Sequence, residues 1–288
     1  MIARTPHLSQ ATAPLTREVT ATNEFGESSV IHIPAERDLT VYVDKRELVT
    51  LMTLGAHPEW LVLGYLLNQR LVPNIDAIES VTVDWDVGAA SVKTREGIDR
   101  IEERTARRVV TTGCGQGSVF GDLMEHIDQI RLPVDAGLRQ SQLYGLVNAI
   151  RLKESTYKSA GSVHACALFE GEELLLFVED VGRHNAVDTI AGWMALQACG
   201  PQAQRFARTD NKVFYTTGRL TSEMVIKSAQ MGVPVVVSRS GITQMGLEVA
   251  QRVGLCAIGR ATHKRFLCYA NPQRLMLDAV QQPLALAD

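Results

Sequence analysis

The sequence contains no long apolar run. Its first strongly apolar helical stretch, Glu59 to Leu71, is broken by Gly64 and by Asn68, Gln69 and Arg70, short of the roughly 18 uninterrupted apolar residues a membrane span requires. No membrane-crossing helix is expected. The amino terminus, MIARTPHLSQATAPLTREV, has no apolar core ahead of a cleavage site, so the expected location is the cytoplasm. Neither sign of charge dominates: 29 Lys and Arg stand against 32 Asp and Glu, a net charge of -3. That balance gives no general attraction to nucleic acid, and any anion binding must come from a local basic cluster. Cysteine is sparse, with five residues at Cys114, Cys166, Cys199, Cys256 and Cys268. An odd number so scattered fits neither a disulfide framework nor a paired zinc site, so reduced thiols and no bound metal are expected. No internal repeat is visible.

What is present suits a globular protein. With 288 residues, 45% of them hydrophobic, the chain can bury a substantial core in one large or two smaller domains. Residues 1–25 are polar and Thr-rich and are expected to be poorly ordered. Residues 26–135 read as a small β-rich domain, with strands over Thr40–Val43 and Glu47–Leu54, a helix opened by His57-Pro58-Glu59, and a hairpin of Ser80–Asp84 with Ala90–Thr94. It ends in Thr111-Thr112-Gly113-Cys114-Gly115-Gln116-Gly117-Ser118, whose alternate glycines deny it regular structure. Residues 136–288 read as an α/β core. A helix over Ser141–Lys153 precedes a hairpin, Val163–Phe169 with Leu174–Val178, and a helix from Ala186. Strands at Val213–Thr216, Val235–Val237 and Leu255–Ile258 then alternate with helices at Ser222–Met231 and Thr243–Val253, implying a layered domain with parallel strand pairs.

The densest chemistry lies where the second hairpin strand ends: Glu179, Asp180, Arg183, His184, Asn185 and Asp188 fall within ten residues. Asp180 or Asn185 could cap the following helix and Arg183 could pair with Glu179 in solvent, but one helix start needs one cap and not six polar groups. A strand end meeting a helix N-terminus is also where open α/β sheets bind anions. The pattern recurs at Thr216-Thr217-Gly218-Arg219-Leu220-Thr221-Ser222-Glu223 and at Ser238-Arg239-Ser240-Gly241-Ile242-Thr243. Arg183, Arg219 and Arg239 at three such junctions would form a pocket for a polyanion. Arg260-Ala261-Thr262-His263-Lys264-Arg265 adds a basic turn that either holds further phosphate or blunts a sheet edge. Among the cysteines, Cys114 has Gly, Gln, Ser and Thr neighbours and is the candidate nucleophile, whereas the other four sit among apolar residues and read as core.

The succession TTGCG, GSVHACAL, EDVGRHNAVD, TTGRLTSEMVIKSA, GVPVVVSRS and IGRATHKRFLCYANPQRL resembles the FdhD family of formate dehydrogenase accessory sulfurtransferases, over about Arg46 to Leu275. The resemblance implies a cytidine-deaminase-like fold for the larger domain and a cytoplasmic homodimer. It implies that sulfur is received from a cysteine desulfurase as a Cys114 persulfide and passed to Mo-bis(molybdopterin guanine dinucleotide) destined for the formate dehydrogenase apo-enzyme, with GDP as a fragment of that ligand. The residues read as holding that cofactor are Arg183, His184, Asn185, Arg219, Arg239 and the turn Arg260, Ala261, Thr262, His263, Lys264 and Arg265. The sequence departs from the family in two places: Gly117 stands where the second Cys of a Cys-x-x-Cys would be, and Gly241-Ile242-Thr243 replaces Ala-Pro-Thr. A persulfide carrier needs only one thiolate, so transfer survives the loss while a loop disulfide does not. Cys166 follows His164-Ala165 where a zinc deaminase has its catalytic Glu, and no Pro-Cys-x-x-Cys follows, which excludes deamination. Three rivals remain: a non-catalytic chaperone for the cofactor, a divergent paralogue serving another Mo or W enzyme, and a nucleotide-binding regulatory protein that needs the pocket but not the thiol.

Overall fold

The computed structural model describes residues 4–98, 124 and 126–278, so Cys114 and Gly117 lie outside the described residues. The described residues are mixed α/β, built on a five-stranded and a six-stranded sheet with two small two-stranded sheets.

The first half supplies β1 (His7–Leu8), β2 (Thr16–Thr22), β3 (Ser28–Pro34), β4 (Arg37–Val43), β5 (Arg46–Thr53), helix α1 (Pro58–Asn68), β6 (Ile78–Asp84) and β7 (Ala89–Thr94). Its main sheet has the order β1-β6-β7-β4-β5. Alternate residues of β4, Leu39, Val41 and Val43, point inward onto α1, where Leu61, Val62, Tyr65 and Leu66 complete one core. Among the described residues, strands β2 and β3 pair only with each other, and much of their surface is exposed. The expectation of a poorly ordered start does not hold for residues 7–8 and 16–22, which are strands. Strand β1 runs parallel to β6, and the Ser9 hydroxyl and Ala11 N–H donate to buried Glu59 at 2.5 and 2.6 Å. These are backbone-ladder and carboxylate contacts, so a polar composition gives no warning of them.

The second half runs β8 (Leu138–Arg139), α2 (Gln140–Leu152), α3 (Thr156–Ala160), β9 (His164–Glu170), β10 (Glu173–Asp180), α4 (Arg183–Cys199), α5 (Ala203–Ala207), β11 (Lys212–Thr216), α6 (Ser222–Gln230), β12 (Val235–Ser238), α7 (Gln244–Val253), β13 (Cys256–Thr262), β14 (Arg265–Ala270) and β15 (Leu275–Met276). Its sheet order is β10-β9-β11-β12-β13-β14. The central strands are apolar without interruption because both of their faces are covered. Cys166, Leu168, Phe214 and Val236 face α4, α6 and α7. Ala167, Phe169, Val213, Tyr215, Val235 and Val237 face Leu143, Leu146 and Val147 of α2. The β9–β10 hairpin turns on two residues, with Gly171 at a φ of 59° that its missing Cβ permits.

The halves meet where α1 crosses α4. A Cβ on Gly64 would lie 1.6 Å from the Asp188 carbonyl oxygen, and one on Gly192 would lie 2.0 Å from that of Trp60. Only glycine at both places lets the backbones approach so closely. Helix α4 starts at Arg183, three residues before the expected Ala186, with Gly182 as its N-cap and no side-chain cap. Neither Asp180 nor Asn185 caps it, because both side chains are committed to the first half. Asp180 accepts from the Thr53 hydroxyl and from Asn185 Nδ2 at 2.9 Å, and Asn185 Nδ2 also donates to the Met52 carbonyl at 2.6 Å. Among the described residues no helix is long and apolar enough to cross a membrane.

Candidate functional site

Strand β9 is antiparallel to both neighbours, so β10 and β11 run the same way, and β12 and β13 run parallel to β11. Their carboxyl ends, Asp180, Thr216, Ser238 and Thr262, therefore lie along one edge, the edge at which open α/β sheets bind ligands. The turns there brace one another. Leu220 N–H donates to the Gly241 carbonyl at 2.9 Å, Thr243 N–H returns to the Leu220 carbonyl at 3.0 Å, and the Ser238 hydroxyl donates to the Gly218 carbonyl at 2.7 Å. The turns carrying Arg219 and Arg239 are thereby fixed relative to each other.

A cavity of about 590 Å³ opens at this edge, between the sheet, the end of α2 and the segment carrying α3. Val147, Ile150, Val163, Phe177 and Tyr215 give it an apolar floor, and Arg151, Lys153, Lys158, Arg239 and His263 give it a basic rim. Its size falls within the roughly 300–1,000 Å³ usual for small-molecule sites.

Of the residues expected to hold a ligand, Arg239, Ala261, Thr262 and His263 line this cavity. Arg260, Lys264 and Arg265 are exposed at the same β13–β14 hairpin. Arg183 is buried at the start of α4, under the β11–α6 turn, where a Cβ on Gly218 would meet its Cδ at 2.7 Å. Arg219 is exposed. Arg183 and Arg219 both reach the field of His164, a cavity residue whose pKa is held below its ordinary value by burial first and by these two cations second.

His184 and Asn185 are not brought to the cavity. His184 is buried with its Nε2 3.3 Å from Glu223 Oε2, and Asn185 joins the halves as described above. Behind them lies a charged cluster in the core. Lys227 Nζ donates to Asp188 Oδ2 at 2.8 Å and stands 3.6 Å from Glu223 Oε1, while Asn68 donates to Asp188 Oδ1 at 2.7 Å. Burial works against the Lys227 charge, but Asp188 and Glu223 outweigh it and hold its pKa above the usual lysine value. The Glu223–Lys227 spacing reads from sequence as a helix-face pair, and the structure turns that face inward. Asp180 is a further buried acid, pushed up to about 6 by desolvation against the hydrogen bonds it accepts.

Sequence reasoning missed His164, Lys153, Tyr157, Lys158 and Glu179 as cavity residues. The only signal for three of them is a polar stretch with two lysines, Lys153 to Lys158, between a helix and a strand. Glu179 does not pair with Arg183 in solvent: its carboxylate accepts Thr156 N–H at 2.6 Å and Tyr157 N–H at 3.1 Å.

The cysteines divide by burial. Cys166 is fully buried, with its Sγ 3.4 Å from Thr216 Oγ1, and desolvation pushes its thiol up to about 12, so it carries no thiolate at neutral pH. Cys256 is buried, while Cys199 and Cys268 are only partly so, a correction to their reading as core. The Sγ atoms of Cys256 and Cys268 lie 3.8 Å apart on adjacent strands. Among the described residues no group of three or more His, Cys, Asp or Glu could hold a metal ion.

Comparison with known proteins places relatives beside this geometry. A family model described as the FdhD/NarQ family matches residues 34–276. The sulfur carrier protein FdhD of Bacillus subtilis (strain 168) is 28% identical over 260 residues, covering 88% of this chain and 94% of that one. Its namesake in Staphylococcus haemolyticus (strain JCSC1435) is 28% identical over 244 residues, covering 83% and 88%. A solved structure from Desulfotalea psychrophila, described as of a formate dehydrogenase accessory protein, has a TM-score of 0.70 at 23% identity over 91% of this chain and 100% of that one, a likeness of fold.

Proposed function

We propose, given that the chain belongs to the FdhD/NarQ family, that it is a sulfur carrier for formate dehydrogenase, loading Cys114 with sulfane sulfur and delivering it to Mo-bis(molybdopterin guanine dinucleotide) held at the sheet edge. The observation that carries this reading is the cavity itself. Four strand ends place Arg239 and the 261–263 turn around an apolar floor, with Arg183 and Arg219 beside His164. An apolar floor with a cationic rim suits a ligand whose planar base is joined to a diphosphate. His184 and Asn185 have a positioning role in this reading, since they hold α4 and with it Arg183.

The chemistry at Cys114 is thiol exchange. Its thiolate attacks the outer sulfur of a persulfide on a cysteine desulfurase, the donor thiolate leaves, and the new persulfide forms with no net oxidation. With Gly117 at the fourth loop position, no loop thiol can displace that sulfur, which leaves only by transfer to the bound substrate or to an external thiol. Cys166 offers no competition, because it is held protonated in the core. A cytoplasmic homodimer with a deaminase-like layering of the larger sheet belongs to the same reading, and the mixed sheet order β10-β9-β11-β12-β13 supports that layering.

Intact-mass spectrometry after incubation with a cysteine desulfurase and cysteine is the test. The protein is expected to gain one sulfur atom that dithiothreitol removes, and Cys114→Ala to gain none. Equal loading of the variant would overturn the assignment of Cys114. If Cys114→Ser still yielded active formate dehydrogenase in a strain lacking its own accessory protein, the non-catalytic chaperone would be the correct reading.

A further inference from the structure

The cavity contains an acidic residue where an anion is expected to bind, and the structure shows what occupies it. Glu179, at the end of β10, spends both carboxylate oxygens on α3: Oε2 accepts Thr156 N–H at 2.6 Å and Oε1 accepts Tyr157 N–H at 3.1 Å. Helix α3 has five residues, too few to stand alone. Its other contacts among the described residues include the Ser155 hydroxyl, which accepts Lys158 N–H at 3.3 Å, and strand β3, which packs against it. At its far end Gly161 and Ser162 both have positive φ, 65° and 52°, so the chain turns sharply there before entering β9. The segment is a strap across the cavity, and Glu179 is the tie that joins it to the sheet.

The strap presents Tyr157. This residue lines the cavity yet leaves 53% of its surface exposed, although an aromatic ring gains by being covered. Its own N–H is one of the two that Glu179 holds.

We propose that Tyr157 is the stacking platform for the purine base of a nucleoside diphosphate in this cavity, and that Glu179 is the positioning residue that sets the ring by tying down its backbone. The inference rests on the nucleotide reading of the cavity and adds to it a residue that touches the base. Base and phosphate are then read by separate groups: Tyr157 on the strap takes the flat apolar part, and Arg239 with the β13–β14 turn takes the charge.

The two roles are separated by comparing GDP with pyrophosphate, each measured by isothermal titration calorimetry on the full chain. Tyr157→Ala is expected to weaken GDP roughly tenfold, the usual effect of losing one base–aromatic stack, with Tyr157→Phe near wild type and pyrophosphate unaffected by either. Glu179→Ala is expected to weaken GDP by a similar factor while leaving pyrophosphate unchanged or tighter, because a negative charge has gone. In the double variant the second substitution should add almost nothing, since both remove the same contact. Amide hydrogen exchange over residues 153–162 should quicken in Glu179→Ala without any ligand. If wild type bound neither ligand, the nucleotide reading would fall and this inference with it. If wild type bound both and either Tyr157→Ala or Glu179→Ala bound GDP as tightly or more tightly, or if the double variant were additive, this inference alone would fall.

Discussion

Lys227 and Asp188 form an ion pair of 2.8 Å with neither side chain exposed to solvent. The pair lies under the motif that carries His184 and Asn185, and Asn68 joins it from the first half. Removing one partner leaves a buried charge without compensation. Lys227→Met is therefore expected to lower stability by about 3–5 kcal/mol, read from the denaturant midpoint. Adding Asp188→Asn to it should recover part of the loss, and a double variant no more stable than Lys227→Met would show that the charge is not the cause.

Gly192→Ala sets two effects against each other. Alanine favours a helix interior by up to about 1 kcal/mol over glycine. The added Cβ would, however, sit 2.0 Å from the Trp60 carbonyl oxygen, a backbone atom that cannot move aside without shifting α1. Overpacking costs about 1–3 kcal/mol or more, so a net loss is expected in urea titration. An unchanged or raised midpoint would mean that the helices separate easily.

The Asp180 carboxyl, held at about 6 against an ordinary 3.8, binds its proton more tightly in the folded chain. Its contribution to stability is thus fully present below pH 3.8 and is lost as pH rises through 6. The difference corresponds to a loss on the order of 3 kcal/mol across that window. Asp180→Asn should flatten the pH profile of the melting temperature between pH 4 and 6.5, and an unaltered slope would assign it to other buried acids, Glu223 first, whose pKa burial also raises.

Alkylation under native conditions should label Cys114 first, and buried Cys166 and Cys256 last, as read by peptide mass mapping. Cys166 is buried and protonated up to about pH 12, whereas Cys114 is surrounded by glycine and small polar residues. Faster modification of Cys166 would contradict its placement in the core.

Most strands and helices of the two main sheets were legible because their periodicities are strong, while β1 was not: 166/168 and 167/169 alternate between two covered faces, and 143, 146 and 147 share one side of α2. The strand-to-helix junctions that carry Arg183, Arg219 and Arg239 were legible from a repeated pattern of turn residues, and of the three only Arg239 lines the cavity. The destinations of Asp180, Asn185 and Asp188 were not, because their partners Thr53, Met52 and Asn68 are more than a hundred residues away and leave no local trace. Nor was the strap, since the value of Glu179 lies in two backbone N–H groups, which have no letter in a sequence.

Strand β9 is completed in two instalments. The turn at Gly171 brings β10 to one edge immediately, but the other edge waits for β11, whose Lys212 is 42 positions beyond Glu170. While the chain is being made, Ala165 to Phe169 stand with a row of backbone groups open to any passing strand, and α4, which comes between, can shield only one face. When β11 arrives, Lys212 meets Glu170 as its register partner at 3.1 Å, with Asn211 and Arg205 on the same carboxylate. A slip of one position would move Lys212 out of its buried place against the Phe206 ring and turn every apolar side chain of β11 to the wrong face. That carboxylate matters less for how firmly the sheet holds than for telling a late strand where to stop.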